Sequence, residues 1–167
     1  MNFIELLLAI LPAYVANSAP VVFGGGDLIH KKLFGESKTW RGLTSGIAFG
    51  FAVGVILAFA LGNEFLAFLS VSEKIGFAAL LSVGGVCGDL AGSFVKRRLG
   101  VPSGHPSPFL DQLPFVLMAL GFGLAAFPKA WPAFEAGGLA FVIVLTYFLH
   151  LAFNRWAHKL GLKKVPW

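Results

Sequence analysis

Two aspartates at the edges of apolar segments are the residues of this sequence best suited to chemistry. Asp89 lies near the end of one apolar segment, and Asp111 lies at the start of the next. If these segments are adjacent antiparallel helices, both carboxylates reach the same end of the pair. Mg²⁺ takes one or two carboxylates and fills its other positions with phosphate oxygens and water. Two aspartates with basic groups close by therefore favour a site for Mg²⁺ and a triphosphate.

Basic side chains follow Asp89 at helical spacing. At 100° per residue, Asp89, Ser93 and Lys96 fall on nearly one face of a helix, and Arg97 lies about 80° from Asp89. Lys96 and Arg97 can therefore serve the same site as the aspartate. A carboxylate at the edge of a membrane helix is costly and is a functional candidate for that reason. The alternative for Asp89 is a salt bridge with a neighbouring helix.

Residues 24–42 form the most polar segment, and they lead directly into an apolar helix. Ser37 or Thr39 can cap this helix. Backbone N–H groups at the helix start, with Lys38 and Arg41 beside them, form an anion site for which phosphate is the natural ligand. A basic loop at a membrane surface has the same composition, so the pattern alone leaves both interpretations open.

The segment from Gly100 to Pro114 is irregular because its prolines and glycines prevent a helix, and it delivers Asp111 to the start of the next span. Its His105 is a candidate base or metal ligand, or else a hydrogen-bonded loop residue. The other histidines show no ligand spacing, and we interpret them as interfacial or packing residues: His30, His150 and His158.

Apolar helices must position these residues. Of the 167 residues, 57% are hydrophobic and 13% are charged, and the mean hydropathy is +0.80. Soluble domains are about 25% charged, so the composition excludes an ordinary water-soluble domain. We expect an all-α integral membrane protein, a bundle of about five transmembrane helices that forms one domain over residues 1–167. The predicted spans are 3–23, 43–62, 74–94, 110–127 and 137–154.

The basic residues are distributed unevenly over the connections. Eleven of the 13 lysines and arginines fall in residues 24–42, 95–110 and the tail, and only Lys74 and Lys129 fall on the other side. The positive-inside rule therefore predicts an amino terminus outside and a carboxyl terminus in the cytoplasm, with both polar loops cytoplasmic. This orientation explains the net charge of +5 without nucleic acid, because no basic run exceeds three residues.

Small residues recur every four positions in two of the predicted helices. Gly42, Gly46, Gly50 and Gly54 mark one stripe, and a second stripe contains Gly84, Gly88 and Gly92. Such stripes let membrane helices approach closely. Space for a substrate beside Gly88 is the alternative interpretation. The single cysteine, Cys87, excludes a disulfide within the chain and is interpreted as a packing residue.

Taken in order, these motifs resemble the signature of the integral-membrane CTP:phosphatidate cytidylyltransferases. The matching residues are Asp27, Phe34-Gly35 and Ser37 to Gly42, then Gly88-Asp89-x3-Ser93-x2-Lys96-Arg97, Gly104-His105-Pro106 and Leu110-Asp111. Arg41 departs from the bacterial pattern, which has glutamate there. With five spans and a short loop before Asp111, the chain is most similar to the archaeal branch, the CDP-archaeol synthase family.

The resemblance implies transfer of CMP from CTP to 2,3-bis-O-geranylgeranylglycerol 1-phosphate, with phosphatidate as the alternative acceptor. It implies catalytic roles for Asp89, Asp111 and Lys96, in which the two aspartates hold Mg²⁺, as one cation or as a two-cation centre. Asn17, Ser93 or loop backbone would read the cytosine. The substrate-binding residues expected from the resemblance are Asp27, Lys38, Thr39, Arg41, Gly88, Ser93, Arg97 and His105.

Two other functional classes fit the sequence less well. A small transporter or ion channel would place acidic residues in the middle of its spans, whereas the aspartates here gather at one membrane face beside basic loops. A transferase that consumes a CDP-lipid would normally carry a D-x2-D-G-x2-A-R-like cluster, which the sequence lacks. An interfacial enzyme that acts on a phosphorylated lipid is therefore favoured.

Overall fold

The computed structural model describes residues 3–163 and 165–166, and these residues are almost entirely helical. The α-helices are α1 (Phe3–Phe23), α2 (Lys31–Phe34), α3 (Trp40–Ala60), α4 (Val71–Arg98), α5 (Pro114–Ala126) and α6 (Ala136–Lys159), with a 3₁₀ helix at Pro128–Phe134. Within the described part, the only β pairing is an isolated bridge between Leu28 and Thr39. The predicted all-α class is confirmed. Lys164, one of the basic tail residues, lies outside the described residues.

Four of the helices, α1, α3, α4 and α6, are long and apolar enough to cross a membrane. The helix α5 has 13 residues and a length of about 20 Å, which is shorter than a hydrocarbon core of about 30 Å. The predicted span at 110–127 therefore begins four residues before the helix in the structure, which starts at Pro114. Pro114 occupies the first helical turn, and a turn before it is closed by the bond from Asp111 N to Ser107 O (2.8 Å).

Glycine stripes set the close approach of the antiparallel helices. A Cβ atom on Gly50 of α3 would lie 2.6 Å from Pro12 O of α1, and one on Gly84 of α4 would lie 2.7 Å from Ala119 Cα of α5. A Cβ atom on Gly88 would collide with the backbone of Pro114. These contacts leave no room for side chains, which is how small residues pack membrane helices.

The two ends of the bundle are built differently. We call the end where α1, α4 and α6 finish and where α3 and α5 begin the basic end. At the opposite end, the segment 61–70 turns back so that Phe65, Leu66 and Leu69 join the buried core. Leu66 N also donates to Glu5 Oε1 (3.0 Å). This segment, too short to span, therefore closes the opposite end, whereas the basic end stays open.

Candidate active site

A cavity of about 810 Å³ lies at the basic end of the bundle. Its volume is in the range of small-molecule binding sites, about 300–1,000 Å³. The wall is made by α1, α2, α3, α4 and α6, by the loops that precede α3 and α5, and by the tail that follows α6. The wall residues for which the sequence predicts a catalytic or binding role are Asn17, Lys38, Thr39, Asp89, Ser93, Lys96, Arg97, His105 and Asp111.

The loop before α3 places Lys38 next to Asp89 of α4. Its two ends are joined by bonds from Ile29 N to Lys38 O (2.9 Å) and from Trp40 N to Asp27 O (3.0 Å). Thr39 then caps α3 by accepting a hydrogen bond from Gly42 N (3.0 Å). Held in this way, Lys38 Nζ lies 2.5 Å from Asp89 Oδ2.

The loop before α5 is tied to α4 by a second lysine–aspartate pair. Lys96 Nζ donates to Asp111 Oδ1 (2.6 Å) and to His105 O (2.7 Å). The other carboxylate oxygen of Asp111 accepts from Ser107 N (2.7 Å). Only 7% of Lys96 is exposed, so its charge is held by these acceptors and not by water. This pair fixes the loop over the end of α4.

The two pairs bring four charged groups, from α4 and from the loops before α3 and α5, to one cavity. Asp89 does form a salt bridge, but its partner belongs to a loop and both members line open space. A buried ion pair contributes little net stability because desolvation offsets the attraction. The pairs are therefore poor stabilising devices but well placed to meet a charged ligand.

Arg97 adds a donor that the protein leaves unused. Its side chain lines the cavity, and its Nε atom is buried without a hydrogen-bond partner among the described residues. Leaving a buried donor unsatisfied costs about 1–3 kcal/mol, and more for a charged group. The guanidinium as a whole adds a positive charge to the cavity wall. Ser93 presents a hydroxyl to the same wall, one turn earlier in α4.

Three of the expected substrate-binding residues lie outside the cavity wall. Asp27 is exposed, and its backbone carbonyl is used to close the loop. Arg41 is exposed on the first turn of α3. Gly88 is buried where α4 meets Pro114 and Phe115, so the structure supports packing and not the alternative of substrate space at this position.

Three polar wall residues from α6 and the tail have no site role predicted from the sequence: His150, Asn154 and Lys163. His150, interpreted above as interfacial or packing, has Asn17 Nδ2 3.2 Å from its Nε2 and Asn154 Nδ2 3.3 Å from its Nδ1. Its ring also contacts Phe115. The sequence does hold a signal for this part of the wall. His150 and Asn154 are polar residues four apart in an otherwise apolar span, and this spacing puts both on one helix face.

The remaining two histidines have local roles. His30 caps the short helix α2, because its Nδ1 accepts from Leu33 N (3.3 Å). His158 Nδ1 lies 2.9 Å from Lys163 O, just beyond the end of α6. Neither lines the cavity.

Comparisons with known proteins agree with this geometry. A family model described as CarS-like CDP-archaeol synthase matches residues 2–167. The CDP-archaeol synthases of Thermococcus onnurineus and Pyrococcus horikoshii are 43% and 42% identical to the chain, and the matches cover 100% and 99% of it and 100% and 98% of those proteins. The chain belongs to the CDP-archaeol synthase family. The family resemblance drawn from the motifs is therefore confirmed.

A solved structure also shares the fold of this CDP-archaeol synthase family member. It is described as an intramembrane enzyme for archaeal membrane lipids biosynthesis, with a TM-score of 0.72 and 36% sequence identity. The match covers 92% of this chain and 94% of the other. Together with the four apolar helices, it identifies the chain as a multi-pass membrane protein.

Proposed function

We propose that this protein is a CTP-dependent cytidylyltransferase that makes unsaturated CDP-archaeol and pyrophosphate from CTP and 2,3-bis-O-geranylgeranyl-sn-glycerol 1-phosphate. The observation that carries the proposal is the convergence of the Lys38–Asp89 and Lys96–Asp111 pairs on one cavity at the end of a membrane bundle. Membership of the CDP-archaeol synthase family supplies the reaction for which these charges are suited.

The reaction requires little acid–base chemistry. The phosphate of the lipid is already an anion at neutral pH, so one of its oxygens can attack the α-phosphorus of CTP directly. A new P–O bond forms, the bond between the α-phosphorus and the bridging oxygen breaks, and pyrophosphate leaves with that electron pair. Catalysis of this kind depends on positioning the reactants and neutralising their charge.

The lysines and Arg97 supply the neutralising charge. Lys38 reaches the cavity from the loop before α3, and Lys96 and Arg97 reach it from α4. When an anionic phosphate enters, each lysine can donate to a phosphate oxygen in place of its aspartate. The guanidinium of Arg97 adds a third positive charge to the same cavity. Lysine and arginine side chains are suited to this role because their hydrogen bonds to anions are charge-assisted.

The two aspartates fit a magnesium site for a nucleotide. The described residues contain no group of three His, Cys, Asp or Glu side chains that could hold a metal alone. Mg²⁺ needs only one or two carboxylates where phosphate oxygens complete its shell, and Asp89 and Asp111 line the same cavity. Bound there, Mg²⁺ would neutralise phosphate charge and orient the leaving group.

The basic end faces the cytoplasm of the cell membrane in this proposal. The uneven distribution of lysine and arginine supports this orientation, and CTP would then enter from the aqueous side. The prenyl chains would lie along apolar helix faces, with their phosphate at the level of the cavity. Exposed aromatic residues at the basic end, such as Trp40 and Trp156, suit the membrane interface.

The lipid specificity can be tested directly. Purified protein is incubated with CTP, Mg²⁺ and either the geranylgeranyl ether phosphate or phosphatidate, and the lipid products are identified by mass. We expect the mass of CDP-archaeol in the first reaction and little product in the second. A CDP-lipid from phosphatidate alone would show that the acceptor is wrong, and no nucleotide transfer to either lipid would contradict the proposed activity.

A further inference from the structure

The chain after α6 folds back over the cavity. The helix ends at Lys159, and Gly161 adopts a φ of +73°, which reverses the direction of the backbone. Leu162 N then donates to Ala157 O (2.9 Å), and His158 Nδ1 bonds to Lys163 O (2.9 Å). As a result, residues 162, 163 and 165 form part of the cavity wall.

A chain of polar contacts holds Lys163 in this position. Its Nζ donates to Asn154 Oδ1 (2.9 Å), Asn154 Nδ2 lies 3.3 Å from His150 Nδ1, and His150 Nε2 lies 3.2 Å from Asn17 Nδ2. The contacts therefore run from the tail through α6 to α1. Because all four side chains line the cavity, the network orients Lys163 toward the space that a ligand would occupy.

Lys163 also lies in the electrostatic field of the two lysine–aspartate pairs. Burial lowers the pKa of Lys163, and the charge of Lys38 lowers it further, whereas Asp111 and Asp89 raise it. The charged form of a lysine in such surroundings is favoured by an added anion. Entry of a phosphate group would therefore favour the protonated, positively charged form of Lys163.

We propose that Lys163 is a further substrate-binding residue, which donates to an anionic phosphoryl oxygen in the cavity, and that Asn154 and His150 position it. The inference rests on the proposed function and deepens it, because the phosphoryl group belongs to CTP or to the phosphate of the lipid. It extends the site from the two loops and α4, where the sequence motifs lie, to α6 and the tail.

The chain offers a matched pair of lysines for the test. Lys163→Ala removes a charge from the cavity, and Lys159→Ala removes one from an exposed position in the last turn of α6. CTP and inorganic triphosphate are titrated into each full-length variant in detergent with Mg²⁺. The KM for the lipid phosphate is then measured at saturating CTP. We expect Lys163→Ala to weaken the affinity for CTP and triphosphate, or to raise the KM for the lipid phosphate, by about tenfold or more. Lys159→Ala should change each of these quantities by less than about twofold.

Two conservative variants separate charge from structure. Lys163→Gln keeps a donor for Asn154 and loses the charge, so it should weaken binding as Lys163→Ala does. Lys163→Arg keeps the charge and should restore most of the affinity. These variants decide the question even if the alanine variant folds poorly, because unchanged affinity for both substrates in Lys163→Gln would overturn the inference.

The positioning role of Asn154 needs a separate readout. Asn154→Ala should raise the same quantity as Lys163→Ala does, either the dissociation constant for CTP or the KM for the lipid phosphate. The kcat should change little. The double variant should be no weaker than Lys163→Ala alone, because both changes remove one interaction. Fully additive effects, or a loss of kcat and thermal stability without a change in KM, would overturn this role.

The outcome for Lys163 can be told apart from the outcome for the proposed function. If the wild type converts CTP and lipid phosphate, and Lys163→Ala matches Lys159→Ala in every assay, the inference fails and the proposed function stands. If the wild type makes no CDP-lipid, the proposed function fails. The inorganic triphosphate titration then still decides whether Lys163 binds a phosphoryl anion.

Discussion

The two ends of the bundle use the same residue types in different settings. At the opposite end, Lys74 is 3% exposed and donates to Gly62 O (2.9 Å), near the carboxyl end of α3. Lys129 pairs with Glu73 on the surface, with 65% of its side chain exposed. The cavity beside Lys74 has a volume of only about 10 Å³. At the basic end, Lys38 and Lys96 border about 810 Å³.

This difference shows which property of a charged residue indicates a functional site. Lys74 is the most buried of the charged residues that the structure describes, yet a backbone carbonyl accepts its hydrogen bond and little space adjoins it. Lys38 and Lys96 are also paired, but their partners are aspartates that face a cavity with room for a nucleotide. Charge that converges on open space, and not burial alone, distinguishes the basic end.

The largest expected effect comes from removing a carboxylate at the basic end. Asp89→Asn and Asp111→Asn should each lower CTP-dependent lipid product by at least about a hundredfold at saturating Mg²⁺, because charge stabilisation at the reacting phosphates is lost. Product is measured by mass, and folding by thermal unfolding in detergent. Glu64→Gln, an exposed carboxylate at the opposite end, should keep full activity. Full activity in a folded Asp89→Asn or Asp111→Asn variant would refute the metal assignment.

A smaller effect is expected when one lysine of the basic end is removed. Lys38→Ala should weaken CTP binding by about tenfold or more, the value of a charge-assisted hydrogen bond. Lys31→Ala is the matched control, because Lys31 lies in α2, in the same polar segment, but pairs with Glu36 at the surface. Calorimetric titration compares the two. Identical curves for Lys38→Ala and the wild type would show that Lys38 does not bind the nucleotide.

The packing role of Gly88 separates stability from ligand binding at the basic end. A Cβ atom there would lie 2.6 Å from Phe115 Cα, and this backbone cannot move without disturbing the α4–α5 contact. Gly88→Ala should therefore lower the free energy of unfolding by about 1–3 kcal/mol.

Gly121→Ala in α5 provides the control for this prediction, because nothing lies within 4 Å of its added Cβ atom. Thermal unfolding of both variants tests the prediction. Normal stability with lost CTP binding in Gly88→Ala would instead indicate a substrate contact at this position.

The smallest effect is expected at the opposite end. Lys129→Ala breaks the pair with Glu73, but this pair is exposed and far from the cavity. We expect CTP affinity and product formation to stay within about twofold of the wild type, because exposed ion pairs contribute little. A larger loss of affinity in the titration would mean that the two ends are coupled.

Local periodicity predicts the α4 part of the site. The spacing of Asp89, Ser93 and Lys96 places them on one helix face, and the structure shows all three in the cavity wall. The prolines of residues 100–114 likewise predict an irregular loop that delivers Asp111. These features depend on neighbours in the sequence, so the residue types are enough to predict them.

Contacts between distant segments could not be predicted in this way. His150 and Asn154 reach the cavity only because α6 packs beside α1. The contact between His150 and Asn17 joins residues that are 133 positions apart in the sequence. Lys163 reaches it only because Gly161 reverses the chain. The short length of α5, in contrast, has a local origin, because residues 108–112 form turns and the helix begins only at Pro114.

The fate of the individual phosphates of CTP tests the central claim most directly. The purified protein is incubated with Mg²⁺, the geranylgeranyl ether phosphate and CTP labelled either at the α-phosphorus or at the γ-phosphorus. Transfer of CMP at the basic end predicts that the α label enters the lipid and that the γ label remains in water-soluble pyrophosphate. A γ label in the lipid, or no label in the lipid from either CTP, would contradict the account.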